Sequence, residues 1–454
     1  MKLAKKMVFL VLIGFLVAGT LAAAGGRARS ADGANNVSLY TWWSDAERLM
    51  GQALIRDFRA ANPNVNVEEN YIPYDDYHSM INTMIASGNP PDVMFLNEFL
   101  VNDWGERGVT ENLFPYYQRA GINPRTFFVD SALYITGNNL WGVNVTSTTT
   151  VLYYNKQMFR EAGITPPPDS ATNPWSWEQF VAAARRLTRD NQGRTPNDSG
   201  FNHNNLVQYG TVMPTSWIFV LPLLYAGGSS VANNSGTALE ITSPTGIQAI
   251  QNIANLAAVE RVAPTVAMTG TGAVFSSLPA MLMNGQLGIV IGGTFWLPDF
   301  TIENFDVGIA QVPSMSGRGS NMAWSAAYAL RKGGSEEAFS LLKHMVDFNN
   351  WIDASRNHGV GLTGIPQTNS VFNDPARYAA WTALFPENMA RLAGDILQNG
   401  SRVGENVTLK NFSEIMEQGI VPVLDRIWLG ETTAQQALPP LNQALQGRLM
   451  GVWQ

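Results

Sequence analysis

The sequence predicts an α/β protein, and three observations support this class. Strand and helix patterns alternate between residues 37 and 96, where strand, helix, strand, helix and strand follow each other within about sixty residues. Such an order requires crossover connections, which are typical of parallel sheets with helices on both faces. Strand patterns return at QLGIVIGG and VGIAQV after a long helical stretch. The return indicates two lobes that the chain crosses more than once.

The first α/β unit begins with VSLYTWW, where alternation and β-branched and aromatic residues predict a strand. Apolar residues then share one face of a helix over residues 45–60: Leu49, Ala53, Leu54 and Phe58. VNVEENYI predicts a second strand. A second helix over residues 74–86 places four apolar residues inward, namely Met80, Ile81, Met84 and Ile85. VMFL is a short continuous apolar run of the kind buried in parallel sheets.

A second unit starts with TTTVLYY, which predicts a strand. Asn155 is placed to cap the helix KQMFREA, and Gly163 ends it, because glycine tolerates the left-handed conformation that commonly follows a helix. Three prolines forbid continuation. Ser176 begins the next helix, and Gln179 three residues later completes a capping box.

Composition excludes several classes of function. The formal charge is 29 − 36 = −7, and no basic block follows the first residues, so a nucleic-acid partner is not expected. The chain has no cysteine, which removes disulfides, thiolate metal sites and cysteine nucleophiles. Four histidines are scattered singly, so no metal and no cofactor are expected.

The N-terminus predicts export. MKLAKK supplies three lysines, MVFLVLIGFLVA is apolar, and Ala22–Ala24 resemble a small-residue cleavage site. We therefore expect residues 1–24 to be a signal peptide and the exported protein to be periplasmic or otherwise extracytoplasmic. Retention of the segment as a membrane anchor is the alternative, because the apolar run is nearly long enough to span.

Motifs of catalysis are weak. GVGLTG, residues 359–364, matches a dinucleotide-binding pattern, but no strand precedes it and no helix follows. A turn that lets backbone approach a ligand, centred on Gly361, is the better interpretation. Paired acids at 68–69, 75–76 and 336–337 suit strand faces and helix starts better than the two opposed carboxyls of a glycosidase. We therefore expect no enzyme.

Aromatic residues give the strongest indication of a ligand. Of 13 tryptophans, Trp42 and Trp43 end a strand with opposed side chains, Trp296 follows a glycine turn, and Trp324 follows a polar loop. Ligands bind at strand ends in open α/β sheets. Flat rings flanked by asparagine, serine and glutamate suit a sugar, which offers C–H faces and hydroxyls.

These segments resemble one known family. The signal peptide, VSLYTWW, NPNVNVE, ASGNPPDVMFLN, LYYNKQMFREAGITPPP, SWEQFVAAARRL and AMLMNGQLGIVIGGTFW occur in the order seen in family 1 of the bacterial extracellular solute-binding proteins, the maltose-binding-like sugar receptors of ABC importers. The resemblance covers almost the whole exported chain. It implies the two-lobed periplasmic binding protein fold, each lobe an open, mostly parallel sheet, with three interlobe crossovers.

The resemblance also implies lobe boundaries, partners and a site. Residues 36–145 plus 302–348 would form the N-terminal lobe, and residues 146–301 plus 349–454 the C-terminal lobe. The partners would be a carbohydrate and the permease subunits of an ABC transporter, and the protein would be a monomer. By resemblance, nine residues would contact the ligand: Trp42, Trp43, Ser44, Asn97, Glu98, Asn144, Trp296, Trp324 and Ser325. The glycine turn adds Gly361 as a tenth. Among them, Trp43 and Trp296 would stack on opposite sides of the sugar.

The sequence departs from many relatives at VAGT, residues 17–20, where Thr20 stands in place of the acylated cysteine of a lipoprotein. Attachment through such a lipid is therefore not expected. Two alternatives to a sugar receptor stay open at this point. One is an exported carbohydrate-active enzyme, and the other is a binding protein for a polyamine, glycerol phosphate or an iron complex.

Overall fold

The computed structural model describes residues 35–43, 45–266, 277–362, 364–383 and 389–453. The predicted signal peptide, residues 1–24, and the predicted ligand residue Ser44 lie outside these ranges. In the described part of the chain, each helix is too short or too polar to cross a bilayer.

The strands are β1 (Asn35–Thr41), β2 (Val65–Tyr71), β3 (Val93–Leu96), β4 (Leu133–Thr136), β5 (Asn139–Val143), β6 (Thr146–Asn155), β7 (Arg189–Asp190), β8 (Leu206–Gln208), β9 (Ile289–Gly293), β10 (Val307–Ala310), β11 (Met322–Trp324), β12 (Ala327–Leu330), β13 (Ile365–Pro366) and β14 (Arg402–Val403).

The α-helices are α1 (Asp45–Ala61), α2 (Tyr74–Ala86), α3 (Glu98–Glu106), α4 (Phe114–Arg119), α5 (Pro124–Phe127), α6 (Lys156–Glu161), α7 (Trp177–Leu187), α8 (Trp217–Ala226), α9 (Pro244–Ala258), α10 (Leu278–Met283), α11 (Leu297–Ile302), α12 (Glu336–Val346), α13 (Phe348–His358), α14 (Asn369–Asn373), α15 (Pro375–Thr382), α16 (Met389–Asn399), α17 (Glu405–Thr408), α18 (Phe412–Ile415), α19 (Val421–Trp428), α20 (Ala434–Ala437) and α21 (Leu441–Leu445).

Two six-stranded sheets form the centres of two lobes. In the first sheet the strand order is β2-β1-β3-β12-β5-β4, and β1 pairs in parallel with both β2 and β3. The pairings of β12 with β3 and β5, and of β4 with β5, are antiparallel. The predicted crossover unit β1-α1-β2-α2-β3 is therefore confirmed, whereas the sheet as a whole is mixed rather than mostly parallel.

The second sheet is organised around β6, the long strand of the TTTVLYY segment. Four strands pair antiparallel with β6: β9 and β10 with its second half, and β11 and β13 with its first half. β14 pairs in parallel with β11. Nine of the ten residues of β6 are buried, as expected for a strand covered on both faces. The expectation of a mostly parallel sheet is wrong here too, because β6 collects partners that reach it through long connections rather than βαβ units.

The chain passes between the two sheets three times. It leaves the first sheet between β5 and β6, returns between β11 and β12, and leaves again before β13. The three predicted crossovers are thus present. The predicted first-lobe segment 302–348 includes β10 and β11, but both strands pair within the second sheet. Helix α13 of the predicted second lobe packs on α1, where His358 Nε2 lies 2.8 Å from Asp57 Oδ1. Short apolar strands carry no signal of which sheet they join.

Local signals for helix ends are confirmed. The Asn155 side chain accepts from the backbone N–H of Met158 at 3.0 Å and caps α6, and Gly163 has φ +61°. Ser176 and Gln179 form the predicted capping box at the start of α7. The inward orientation predicted for two residues is wrong: Leu49 is 57% exposed and Met80 is 47% exposed. Both lie at the edge of the apolar stripe of their helix, where periodicity does not fix burial.

Candidate ligand site between the lobes

Polar and aromatic side chains gather where the parallel strands of the first sheet end. Trp42 follows β1, Tyr74 follows β2, and Asn97, Glu98 and Phe99 follow β3. The carboxyl ends of parallel strands meet at one edge of a sheet, which is the usual ligand edge of open α/β folds. The Asn97 amide donates to the Tyr74 hydroxyl at 3.0 Å and joins two of these strand ends.

Trp42 is half-buried and surrounded by rings. Its ring centroid lies 5.7 Å from Tyr74, 4.8 Å from Tyr77, 5.2 Å from His78 and 4.6 Å from Phe95. Most of these contacts are tilted or edge-on, the geometries that aromatic pairs prefer. The indole is thereby held in one orientation at the strand end.

His78 extends the aromatic group toward the second lobe. Burial lowers the pKa of His78 to about 4, so the ring is neutral at physiological pH. Its Nε2 atom is buried and has no hydrogen-bond partner among the described residues. The His78 ring centroid lies 6.4 Å from that of Phe99. His78 therefore packs as one more flat ring rather than as a charge.

Phe99 is the point where the aromatic rings cross from one lobe to the other. Its ring centroid lies 6.0 Å from Trp217 at the start of α8 and 6.3 Å from Phe412 of α18. Trp217 and Phe412 are 5.2 Å apart, edge to face. We name these residues the interlobe aromatic strip: Trp42, Tyr74, His78, Phe99, Trp217 and Phe412.

A hydrogen bond orients the indole of Trp217. Its Nε1–H donates to Glu417 Oε1 at 2.9 Å, and Trp217 is only 9% exposed. A buried indole N–H needs such a partner, and a charged acceptor makes the bond stronger. The carboxylate of Glu417 thus holds the Trp217 ring, on the second-lobe side of the strip, in one orientation.

Glu98 and Asn406 form a direct polar contact between the lobes. The Asn406 amide donates to Glu98 Oε1 at 2.7 Å, and the two residues are 1% and 4% exposed, respectively. Burial raises the pKa of Glu98, because the ionised form loses hydration that the hydrogen bonds replace only in part. Glu98 also lies near Tyr134, whose pKa is raised first by burial and then by this carboxylate.

The predicted ligand residues Asn144 and Ser325 lie beside Tyr134. Its hydroxyl donates to the backbone oxygen of Ser325 at 2.5 Å, and the Ser325 hydroxyl donates to the backbone oxygen of Thr146. The Asn144 amide donates to Ser131 O at 3.2 Å, and its Oδ1 is buried with no hydrogen-bond partner among the described residues. Trp324 is half-buried and packs against two buried hydrophobic clusters. These residues lie where the chain crosses between the sheets.

Trp43 and Trp296 are packed more tightly than a ligand-stacking role requires. They are 3% and 4% exposed. Each fills the space beside a glycine: a Cβ atom on Gly51 would lie 2.0 Å from the Trp43 ring, and one on Gly292 would lie 1.8 Å from the Trp296 ring. Their stacking on a sugar stays a prediction, and their burial favours a role in the core.

The structure therefore unites part of the predicted site and adds to it. Trp42, Asn97 and Glu98 lie together at the strand ends, and Gly361 is exposed with open space where a Cβ would stand. Six residues of the site were not predicted from the sequence: Tyr74, His78, Phe99, Trp217, Phe412 and Asn406. Tyr74 follows a predicted strand and could have been found by that signal, whereas residues of the second lobe have no comparable local pattern.

Comparisons with known proteins give the fold and the family. The solved structure of an ABC substrate-binding protein from Listeria monocytogenes in complex with cycloalternan has a TM-score of 0.77 at 19% identity, covering 91% of this chain and 99% of that one. UgpB from Mycobacterium tuberculosis in complex with glycerophosphocholine has a TM-score of 0.72 at 19% identity, covering 91% and 98%. The chain thus has the two-lobed fold of these proteins.

Sequence relatives agree with this assignment. A binding protein of Brucella abortus is 21% identical over 338 residues, which are 73% of this chain and 76% of the relative. The profile of one family matches residues 44–347, well over half of the chain. The chain, with its two lobes and three crossovers, belongs to the bacterial extracellular solute-binding protein family.

Proposed function

We propose that this protein captures a neutral sugar or oligosaccharide between its lobes and delivers it, unchanged, to the permease of an ABC transporter. The observation that carries the proposal is the accessible part of the interlobe aromatic strip, the rings of Trp42, Tyr74 and Phe99, bordered by the hydrogen-bonding groups of Asn97 and Glu98. Aromatic faces pack on the C–H faces of sugar rings, and fixed polar groups bind the hydroxyls. The cycloalternan complex of the Listeria protein supports the same class of ligand.

Within this proposal, Trp42, Asn97, Glu98, Asn144, Trp324 and Ser325 contact the ligand or the crossover segments beside it. The protein acts as a receptor rather than an enzyme, since its family is one of binding proteins. We further infer that residues 1–24 direct its export, that it works outside the cytoplasm, and that it acts as a monomer. We also infer lobe boundaries near residues 145 and 302, except that β10 and β11, which follow residue 302, pair within the second sheet.

A glycerophosphodiester is the second candidate ligand, favoured by the fold shared with the UgpB protein. An aromatic group can also hold a quaternary ammonium through cation–π contacts. A phosphate, however, usually needs a nearby cation. Two acids lie beside the strip: Glu417, which accepts from Trp217, and Glu98, which precedes Phe99 and accepts from Asn406. An ionised carboxylate at either position would repel a phosphate. Charge therefore favours the neutral sugar.

A ligand panel tests the proposal. Cycloalternan, maltotriose, monosaccharides, glycerophosphocholine and inorganic phosphate are titrated into the purified protein by calorimetry and thermal shift. A sugar present at about 100 times its Kd should raise the stability by about 2.7 kcal/mol. The recovered sugar should be chemically unchanged. Hydrolysis of the sugar, or binding of glycerophosphocholine alone, would overturn the proposal.

A further inference from the structure

Side chains of the two lobes contact each other directly at one end of the candidate site. The contact consists of the Glu98–Asn406 hydrogen bond and the packing of Phe99 against Trp217 and Phe412. Glu98 and Phe99 are consecutive residues at the start of α3, so one helix of the first lobe supplies both the polar and the apolar part. We name this set of contacts the α3 contact.

Burial makes the hydrogen bond dependent on the closed arrangement. Glu98 and Asn406 are nearly inaccessible to water, and the 2.7 Å donor–acceptor distance is that of a strong bond to a carboxyl group. When the lobes separate, both groups return to water, whose hydrogen bonds replace this one only in part. If one partner is removed while the lobes stay together, the other remains buried and unpaired, which is costly. Glu98 and Asn406 therefore favour the closed arrangement only when both are present.

The second-lobe side of the contact is held rigidly before it meets α3. Tyr225 donates its hydroxyl to the carboxylate of Glu405, the neighbour of Asn406. Arg402 lies 3.2 Å from Glu405, and its guanidinium carbon is 3.8 Å from the Tyr225 ring centroid. Asn406 Oδ1 packs against Gly404, where a Cβ atom would be 2.4 Å away. These interactions hold the short helix α17 so that Nδ2 faces the first lobe.

We propose that the α3 contact is a latch that holds the lobes closed without a bound solute, and that it thereby sets how fast a ligand enters and leaves. The two lobes meet through their own side chains, so closure does not require a solute to bridge them. The latch lowers the fraction of protein in the open form, so a ligand that enters through the open form binds more slowly. A bound ligand is also released more slowly, because the lobes open less often. The kinetic part of this inference rests on the proposed sugar-binding function, whereas the closure itself does not.

The latch can be tested without any ligand, because the chain has no cysteine. Met80 of α2 and Val259 after α9 are exposed, at 47% and 61%, and lie in different lobes. Nitroxide labels on Met80→Cys and Val259→Cys report the interlobe distance by pulsed electron paramagnetic resonance. In the labelled parent, the distribution should be dominated by one short distance, and Asn406→Ala should move most of it to longer distances.

A matched control removes the same type of bond inside one lobe. Asn399 donates to Asp395 Oδ1 at 2.7 Å on the exposed surface of α16. Asn399→Ala should leave the distance distribution of the parent unchanged. If Asn406→Ala fails to fold, Glu98→Ala removes the same bond from the other side. A folded Asn406→Ala or Glu98→Ala variant that keeps the short distance would overturn the latch.

The double variant shows whether the two residues act through one bond. If they do, Glu98→Ala combined with Asn406→Ala should open the lobes no further than either single change. With cycloalternan as the probe, both singles should speed dissociation by about tenfold, the loss expected for one hydrogen bond to a charged group. Unchanged dissociation in variants that open would overturn the kinetic part. If the parent binds no sugar at all, the proposed function fails, while the distance measurement still decides the latch.

Discussion

Trp42 and Trp43 are adjacent in the chain, yet their indole rings pack against different helices. The Trp42 centroid lies 4.8 Å and 5.2 Å from those of Tyr77 and His78, both of α2. Trp43 covers Gly51 of α1 and is 3% exposed. Because consecutive residues in extended backbone point in opposite directions, only one of the two rings borders the cleft. Truncating each ring therefore has a different consequence.

We expect Trp42→Ala to weaken sugar binding at least tenfold, as truncation of an aromatic anchor usually does. Its ring is half-buried among other rings, so the loss of folding stability should be smaller than for a core tryptophan. Calorimetric titration gives the affinity, and denaturant unfolding without ligand gives the stability. An affinity equal to that of the parent protein would remove Trp42 from the site.

Trp43→Ala and Trp296→Ala should behave in the opposite way. Both rings are nearly fully buried, and truncation of a core tryptophan costs roughly 3–5 kcal/mol of folding free energy. The folded fraction of each variant should still bind the sugar. A variant that keeps its stability but loses binding would instead support the stacking role that the sequence analysis predicts for that residue.

Glu417 should matter through the orientation of Trp217. Glu417→Ala removes the acceptor at 2.9 Å and leaves a buried indole N–H unpaired, which costs roughly 1–3 kcal/mol of stability. Glu417→Gln keeps an acceptor oxygen and should retain most of that stability and the affinity for the sugar. Unfolding and titration of both variants check this. Equal behaviour of the two variants would mean that the bond does not orient the ring.

The first half of the fold was predictable because its information is local. The β1-α1-β2-α2-β3 unit follows from periodicity, and the caps at Asn155 and Ser176 follow from short motifs. The same locality places Trp42, Asn97 and Glu98 at strand ends. Burial at stripe edges was not predictable, and Leu49 is the example: it fits the helical period but lies at the surface.

The second half of the site could not be predicted in this way. Asn406 lies 308 residues from Glu98 in sequence, and the contact depends on how two complete lobes face each other. Trp217 and Phe412 begin helices whose positions are set by tertiary packing, not by a motif. The pairings of β10 and β11 with β6 could not be predicted either, because a strand of three or four apolar residues fits the edge of either sheet.

The stability of Glu98→Gln should exceed that of the parent protein by an amount that grows with pH. Burial raises the pKa of Glu98 in the folded protein, so its ionisation disfavours folding. Below the ordinary pKa of glutamic acid, about 4.3, both states are protonated and the penalty is absent. As the pH rises from there toward the raised pKa, the unfolded chain ionises first and the penalty grows; above the raised pKa it is constant. The neutral amide avoids it and keeps an oxygen that can accept from Asn406.

Urea unfolding from about pH 4 to about pH 8 measures this difference. Glu303→Gln, at an exposed glutamate after α11, is the control and should show no comparable trend. A difference between the Glu98 variant and the parent that does not change with pH would show that Glu98 ionises as easily in the folded protein as in the unfolded chain.

Gly404→Ala should open the lobes, although Gly404 is not one of the two residues in the interlobe hydrogen bond. A Cβ atom there would lie 2.4 Å from Asn406 Oδ1 and 2.7 Å from Met322 Sδ, so the Asn406 amide has to move. Gly404 has φ −81°, which any residue adopts, and the effect is therefore steric rather than a backbone strain. The distance distribution between labels at positions 80 and 259 should shift as it does for Asn406→Ala. Gly447→Ala, where no atom lies within 4 Å of the added Cβ, should leave it unchanged. A closed distribution in a folded Gly404→Ala variant would mean that the position of the Asn406 amide does not control closure.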